Sequence, residues 1–233
     1  RLAFTTREPI GAVVAVSAFN HPLNLIAHQT GPAIAAGCPV LLKPASSTPL
    51  SALRLGELYR EAGLPEDWCV VAPCRGSVAE QAVTSDRIGF FSFIGSARVG
   101  WGLRAKLAPG VRAALEHGGV APLLVDASAD LDKAVPAILK GGYYHAGQVC
   151  VSVQRVFADA SIADELVDRL AEGVSELVTG DPLDAATQVG PLIEQGEVDR
   201  VHEWVQEAID AGAEVAEGGH PLENQCYAPT LLV

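Results

Sequence analysis

The residues whose types and settings could do chemistry are Cys150, Glu116, Asn20 and Lys43, together with the Gly95-Ser96 pair. Cys150 lies in a Gly-, Gln- and Ser-bearing segment instead of an apolar run, which suits a nucleophilic thiol, although most cysteines are inert core fillers. Glu116 follows the apolar Leu115 and precedes Gly118-Gly119, where a strand gives way to a flexible turn and a carboxylate could point into a cleft or stand solvated. Asn20 comes just past an apolar strand and before His21-Pro22, so its amide either caps a helix or faces a ligand. Lys43 ends a second apolar run and is followed by Pro44, an unusual place for a cation unless it reaches a phosphate or sugar at the carboxyl edge of a sheet. Gly95-Ser96 joins a strand to a helix, exposing backbone N–H groups at the positive end of the helix dipole, although such turns use Gly and Ser for structural reasons too.

These residues need a frame, and the apolar pattern supplies one. The run from Ile10 to Phe19 reads as a buried strand, followed by a helix from Pro22 to near Gly37 and a short strand at Val40 to Lys43. Thr48-Pro49 reads as a capping hydroxyl and first-turn proline for a second helix, with Leu50, Leu53 and Leu58 mostly on one face and a stop at Gly63-Leu64-Pro65. A strand near Cys69–Ala72, a helix near Val78–Val83, a strand at Ile88–Phe93 and a helix after Ser96 complete an alternation that implies a parallel sheet covered on both faces. Further on, the pattern gives a strand at Leu123–Val125, a helix from about Leu131, and another near Gly196–Ala211. Ile162, Leu166, Leu170, Val174 and Leu177 form the apolar stripe of a long amphipathic helix, which is assigned to packing.

Composition narrows the function classes. The 233 residues are 49% hydrophobic and 19% charged, an ordinary globular balance that excludes disorder, collagen and coiled coil. The longest apolar run contains Ser17 and falls short of the roughly 18 residues a membrane helix needs. Five cysteines without a CxxC pair fit neither a disulfide framework nor a zinc cluster, so no metal and a reducing, cytoplasmic compartment are expected. The net charge of −12 argues against nucleic-acid and anionic-membrane partners. It hides an asymmetry: residues 1–115 carry 11 basic and 7 acidic groups, and residues 116–233 carry 5 basic and 21 acidic. Two parts with different electrostatic roles are expected, the first better suited to an anionic cofactor. Gly95 to Gly100 has P-loop spacing, but Trp101-Gly102 stands where Lys and Ser or Thr are needed, so a kinase or ATPase is not expected.

In order along the chain, PIGAVVAVSAFNHPLN, GPAIAAGCPVLLKPASSTPLSA, FSFIGSARVG, LEHGG, GQVC, GDPLD, VGPLI and YAPTLLV resemble the aldehyde dehydrogenase superfamily. The separations resemble it as well, with Lys43 23 residues after Asn20 and Cys150 34 after Glu116. The wording looks most like the branch holding lactaldehyde, glyceraldehyde phosphate and phosphonoacetaldehyde dehydrogenases. The resemblance implies an α/β fold with a Rossmann-type cofactor domain over 1–115 and an α/β catalytic domain over 116–233, both incomplete here, as in an internal piece of a longer chain. It implies oxidation of a small aldehyde to its acid with NAD or NADP, in a dimer or tetramer when full length. Cys150 would be the nucleophile, Glu116 the base that activates water, and Asn20 an oxyanion donor. Lys43, Ser46, Gly95, Ser96, Ala18 and Phe19 would lie against the cofactor.

Four positions depart from the pattern. Cys74 and Glu80 stand where glycine is usual beside the cofactor's adenosine half, and His117 stands where leucine is usual after the base. Ser46 replaces the glutamate that many NAD-preferring members use to exclude a 2′-phosphate, so NADP is admitted. A CoA-acylating relative and a non-catalytic dinucleotide-binding remnant are the rival readings.

Overall fold

A computed structural model describes residues 1–233, which form two compact units, Arg1–Gly118 and Gly119–Val233. In the first unit the chain alternates β1 (Ala12–Val16), α1 (Pro22–Ala35), β2 (Val40–Lys43), α2 (Leu50–Glu61), β3 (Cys69–Val71), α3 (Gly76–Val83), β4 (Ile88–Ile94), α4 (Ala97–Arg104) and β5 (Arg112–Glu116). All five strands pair in parallel in the order β3-β2-β1-β4-β5. The order reverses beside β1, so its carboxyl end and that of β4 flank a topological switch point.

Side-chain alternation explains why both faces are covered. Val13 and Ala15 of β1 pack with Ile26 of α1, Ala52 of α2, Val40 and Leu42. Val14 and Val16 turn the other way, toward Val83 of α3, Leu103 of α4, Phe91 and Phe93. The sheet is therefore wound doubly, as the alternation of strands and helices implies.

Three local expectations need correction. The first strand runs only from Ala12 to Val16, because Gly11 adopts φ +107° before it and the chain leaves the ladder at Ser17. Thr48 does not cap α2: its buried Oγ1 has no partner, and the first helical turn closes from the Pro49 carbonyl to the Leu53 N–H at 3.1 Å. Leu50, Leu53 and Leu58 do not form the packed face of that helix, being 77%, 39% and 43% exposed. The packed face is made by Ala52, which is buried, Leu55, which packs on the same core, and Gly56, where a Cβ would lie 2.9 Å from Val71 Cγ2, so the helix sits too close to the sheet for a side chain at position 56.

In the second unit, β6 (Leu123–Val125) pairs in parallel with β7 (Val156–Ala158) after the crossover helix α5 (Leu131–Tyr143). The Asp130 carboxylate caps α5 by accepting from the Asp132 N–H at 3.1 Å. Next come α6 (Ala163–Ser175), α7 (Gln195–Asp210), and an antiparallel pair of β8 (Val215–Glu217) with β9 (Leu231–Leu232). Leu166 and Leu170 of α6 join Val125, Leu131 and Ile138 in one core cluster, as the stripe requires. The strands β7 and β8 have three residues each, too short to show a period in sequence.

Candidate active site

Parallel pairing gathers the polar residues of the first unit at one edge. Val16, which ends β1, is in register with Lys43, which ends β2, and the Ser17 N–H extends the ladder to the Lys43 carbonyl at 3.0 Å. On the other side Val16 is in register with Phe93, and Ile94 with Glu116. The segments carrying Ala18, Phe19 and Asn20, then Ser46, then Gly95 and Ser96, and finally Glu116 thus leave neighbouring strands at their carboxyl ends. Ser46, Ser96 and Glu116 are exposed, while Ala18, Phe19, Asn20 and Lys43 are half-buried. Helix α1 begins at Pro22 with His21 in the cap position, which places Asn20 one residue outside the cap.

Around the edge, the residues that depart from the family pattern have definite surroundings. Glu80 pairs with Lys106 at 2.6 Å, so its carboxylate is compensated within the unit. The His117 ring lies 6.2 Å from the Phe93 ring and 5.7 Å from the Trp101 ring, centroid to centroid. Gly100 makes that slot, since a Cβ there would lie 2.7 Å from His117 Cε1 and 2.8 Å from Phe93 Cδ1. Both ring nitrogens of His117 are buried without a hydrogen-bond partner.

Cys150 belongs to the second unit and sits at the second position of a tight turn, closed by the Ser152 N–H to the Val149 carbonyl at 3.0 Å. Both ends of the turn are anchored. Val149 is buried, and the buried Ser152 donates its hydroxyl to the Gly142 carbonyl at 3.0 Å. Upstream, Gln148 clamps the segment by accepting from the Ile193 N–H at 3.0 Å and donating to the His145 carbonyl at 3.1 Å. His145 and Ala146 have φ of 51° and 54°, left-handed conformations that cost side-chain-bearing residues about 1–3 kcal/mol each and mark a segment held by its surroundings. A Cβ at Gly119 would lie 2.9 Å from the Cys150 carbonyl oxygen, so that glycine lets the two backbones touch.

Of the five cysteines, Cys150 alone is exposed; Cys38, Cys69 and Cys226 are buried, and Cys74 is half-buried. Burial pushes the Cys69 and Cys226 thiols above their ordinary range, which removes both as thiolate nucleophiles. Gln148 and Ser152 have no role of their own in the sequence reading, although both belong to the Gly-, Gln- and Ser-bearing segment around Cys150. Their signal was a polar residue on either side of a cysteine, which sequence alone does not separate from solvent exposure.

A parallel sheet with helices on both faces and polar residues at its switch point defines an α/β protein of the doubly wound class. More narrowly, the chain belongs to the aldehyde dehydrogenase family, whose model matches residues 1–233. Across its whole length it is 42% identical to 3-sulfolactaldehyde dehydrogenase of Priestia aryabhattai, covering 48% of that protein. It is 39% identical to lactaldehyde dehydrogenase of Methanocaldococcus jannaschii, again over the whole chain and covering 51% of that protein. Among solved structures, glyceraldehyde-3-phosphate dehydrogenase GapN of M. jannaschii, complexed with NADP, matches with a TM-score of 0.93 at 38% identity. That match covers 97% of this chain and 50% of GapN. The chain spans about half the length of these relatives. No helix is long and apolar enough to cross a membrane.

Proposed function

We propose that this chain carries the cofactor edge and the nucleophile of an NAD(P)-dependent dehydrogenase that oxidises a small aldehyde to its carboxylic acid. The observation that carries this reading is the placement of Cys150, the one exposed thiol, at a turn whose two flanks are buried and hydrogen-bonded. Residues 1–118 are read as the dinucleotide-binding part and residues 119–233 as the part that presents the cysteine.

The donor set at the sheet edge fits a dinucleotide. Lys43 brings a cation and Ser46 a hydroxyl to the end of β2, and the Ser96 side chain at the start of α4 makes no capping hydrogen bond, which leaves it for a ligand. The carboxylate that could have repelled phosphate, Glu80, is paired with Lys106. When bound, NAD(P) supplies a hydride acceptor.

The Cys150 thiolate adds to the aldehyde carbon, forming a C–S bond while the carbonyl π electrons move to oxygen. The Asn20 amide and the Cys150 backbone N–H donate to that oxyanion, each such donor contributing about 3–4 kcal/mol in comparable sites. Loss of hydride from the tetrahedral carbon restores the carbonyl as a thioester on Cys150. Glu116 then takes a proton from water as the water attacks, and collapse releases the acid and returns the thiolate.

Cys150→Ser in the full-length protein is expected to abolish turnover, because a hydroxyl has no comparable anion population at neutral pH. Binding of NAD(P)H, followed by fluorescence titration, should persist. Near-normal steady-state turnover by the variant would overturn the reading.

A further inference from the structure

The Gln29 side chain on α1 is 7% exposed and lies across the two strands that flank the switch point. Its Nε2 is 3.2 Å from the Val16 carbonyl oxygen of β1, 3.2 Å from the Ser92 carbonyl oxygen of β4, and 3.0 Å from Ser92 Oγ. An amide nitrogen has two hydrogens, so one serves β1 and the other is shared by the two oxygens of Ser92. The opposite amide orientation would set Oε1 against two carbonyl oxygens, so the pattern fixes the nitrogen toward the strands. Ala15, fully buried and in register with Ser92, packs with Ile26 of the same helix. Oε1 itself is buried without a partner, so the donors, not the acceptor, are what this buried glutamine contributes.

Val16 ends β1 and Ser92 lies two residues before the end of β4, so both stand close to where the site departs. Val16 immediately precedes the Ser17–Asn20 segment, and Ser92 lies three residues before Gly95. The inter-strand ladder stops there, at the Val16–Phe93 pair. We propose that Gln29 is a positioning residue that ties the carboxyl ends of β1 and β4 together and so sets the spacing between the Ser17–Asn20 segment and the Gly95–Ser96 turn. The proposal rests on the cofactor reading of that edge, because the spacing between those segments is what a dinucleotide would meet. Without the two donors, the Val16 and Ser92 carbonyl oxygens each lose a second hydrogen bond and are left with the β1–β4 ladder alone, at the place where that ladder ends.

Gln29→Met keeps the length of the side chain and removes both donors, whereas Gln29→Lys keeps donors on a chain of similar reach. In the full-length protein three measurements decide the matter: hydrogen exchange at the Val16 and Ile94 amides, dissociation constants for NADH and NADPH by fluorescence, and the rate of Cys150 alkylation by iodoacetamide. The Ser17 and Gly95 amides turn to β2 and β5, so it is Val16 and Ile94 whose amides face the β1–β4 ladder. Gln29→Met should speed exchange at both amides and weaken cofactor binding about tenfold, the size of one lost buried hydrogen bond. Cys150 alkylation should be unchanged, since that thiol is exposed on the second unit, and a cooperative urea transition should show that the variant still folds. Gln29→Lys should recover slow exchange and binding to within a few-fold of wild type. Unchanged exchange in Gln29→Met, or a Lys variant as impaired as the Met variant, would overturn the clamp. A wild-type protein that binds neither cofactor would overturn the cofactor reading, and the exchange rates would still decide the clamp.

Discussion

The Gly95 N–H donates to the Glu116 carbonyl at 3.0 Å, one step beyond the Ile94–Glu116 pair that ends the β4–β5 ladder. The turn expected to face the cofactor and the residue expected to activate water are therefore held in fixed register by backbone alone. The exposed Glu116 side chain contributes nothing to that bond, so it can be changed without releasing the turn.

Glu116→Gln should accordingly leave the first hydride transfer intact and slow deacylation, since an amide does not accept the proton of the attacking water. A burst of reduced cofactor equal to the enzyme concentration is expected, followed by a steady rate lower by about 10²–10⁴-fold. Rapid-mixing absorbance at the reduced nicotinamide band measures both phases. Loss of the burst together with the steady rate would mean that Glu116 acts before the thioester forms.

Ser46 is exposed, three residues past the end of β2, with a short hydroxyl side chain. NADP should therefore be used at a rate comparable to NAD. Ser46→Glu should penalise NADP through repulsion between the new carboxylate and the 2′-phosphate. Coulomb energy for unit charges about 4 Å apart at an effective dielectric near 20 is about 4 kcal/mol, and solvent screening at an exposed site reduces this to roughly tenfold or more in relative kcat/KM. An unchanged ratio for the two cofactors would place residue 46 away from the ribose.

Strands β1, β2 and β4 and the parallel sheet were legible because their apolar runs are continuous and bounded by Gly, Pro or Ser, and the eight ordered motifs made the family legible. What stayed hidden depends on contacts between segments distant in sequence. Nothing local to Leu50, Leu53 and Leu58 reveals that α2 turns Ala52 and Gly56 to the sheet, because the deciding neighbour is Val71 on another strand. Gln29 reads as a polar residue on a helix, and only the meeting of Val16 and Ser92 beneath it gives it a task. The anchoring of the Cys150 turn by Ser152 and Gln148 was similarly invisible, since Gly142 and Ile193 supply the other halves of those bonds.

His117 offers a test of which local effect wins. Its two partnerless buried nitrogens cost about 1–3 kcal/mol apiece, while its tilted contacts with Phe93 and Trp101 return about 0.5–1.5 kcal/mol each. Leucine fills a similar volume without polar atoms. His117→Leu should therefore stabilise the first unit by about 1 kcal/mol, read as a higher urea midpoint with an unchanged slope. A lower midpoint would show that the aromatic contacts outweigh the unpaired nitrogens.

Tyr143 carries the clearest pH dependence. Its hydroxyl donates to the Thr230 carbonyl at 2.8 Å, joining the end of α5 to the residue before β9, and burial pushes its pKa up to about 12 from an ordinary value of 10.0. The folded state thus holds the phenolic proton more tightly than the unfolded state does. This contribution to stability is fully present below pH 10 and is lost as pH rises through about 12, where a phenolate would face a carbonyl oxygen. Tyr143→Phe removes both the bond and the titration, so at pH 9 it should be less stable than wild type by about 1 kcal/mol. Between pH 10 and 12 the gap should close and then reverse, because raising the pKa from 10.0 to about 12 corresponds to about 3 kcal/mol that wild type loses over this window and the variant, with no phenol to ionise, does not. Other lysines and tyrosines titrate in both proteins, so the difference between their urea midpoints isolates this one group. A gap that stays constant from pH 9 to 12 would mean that the phenol ionises as readily in the folded chain as in the unfolded one.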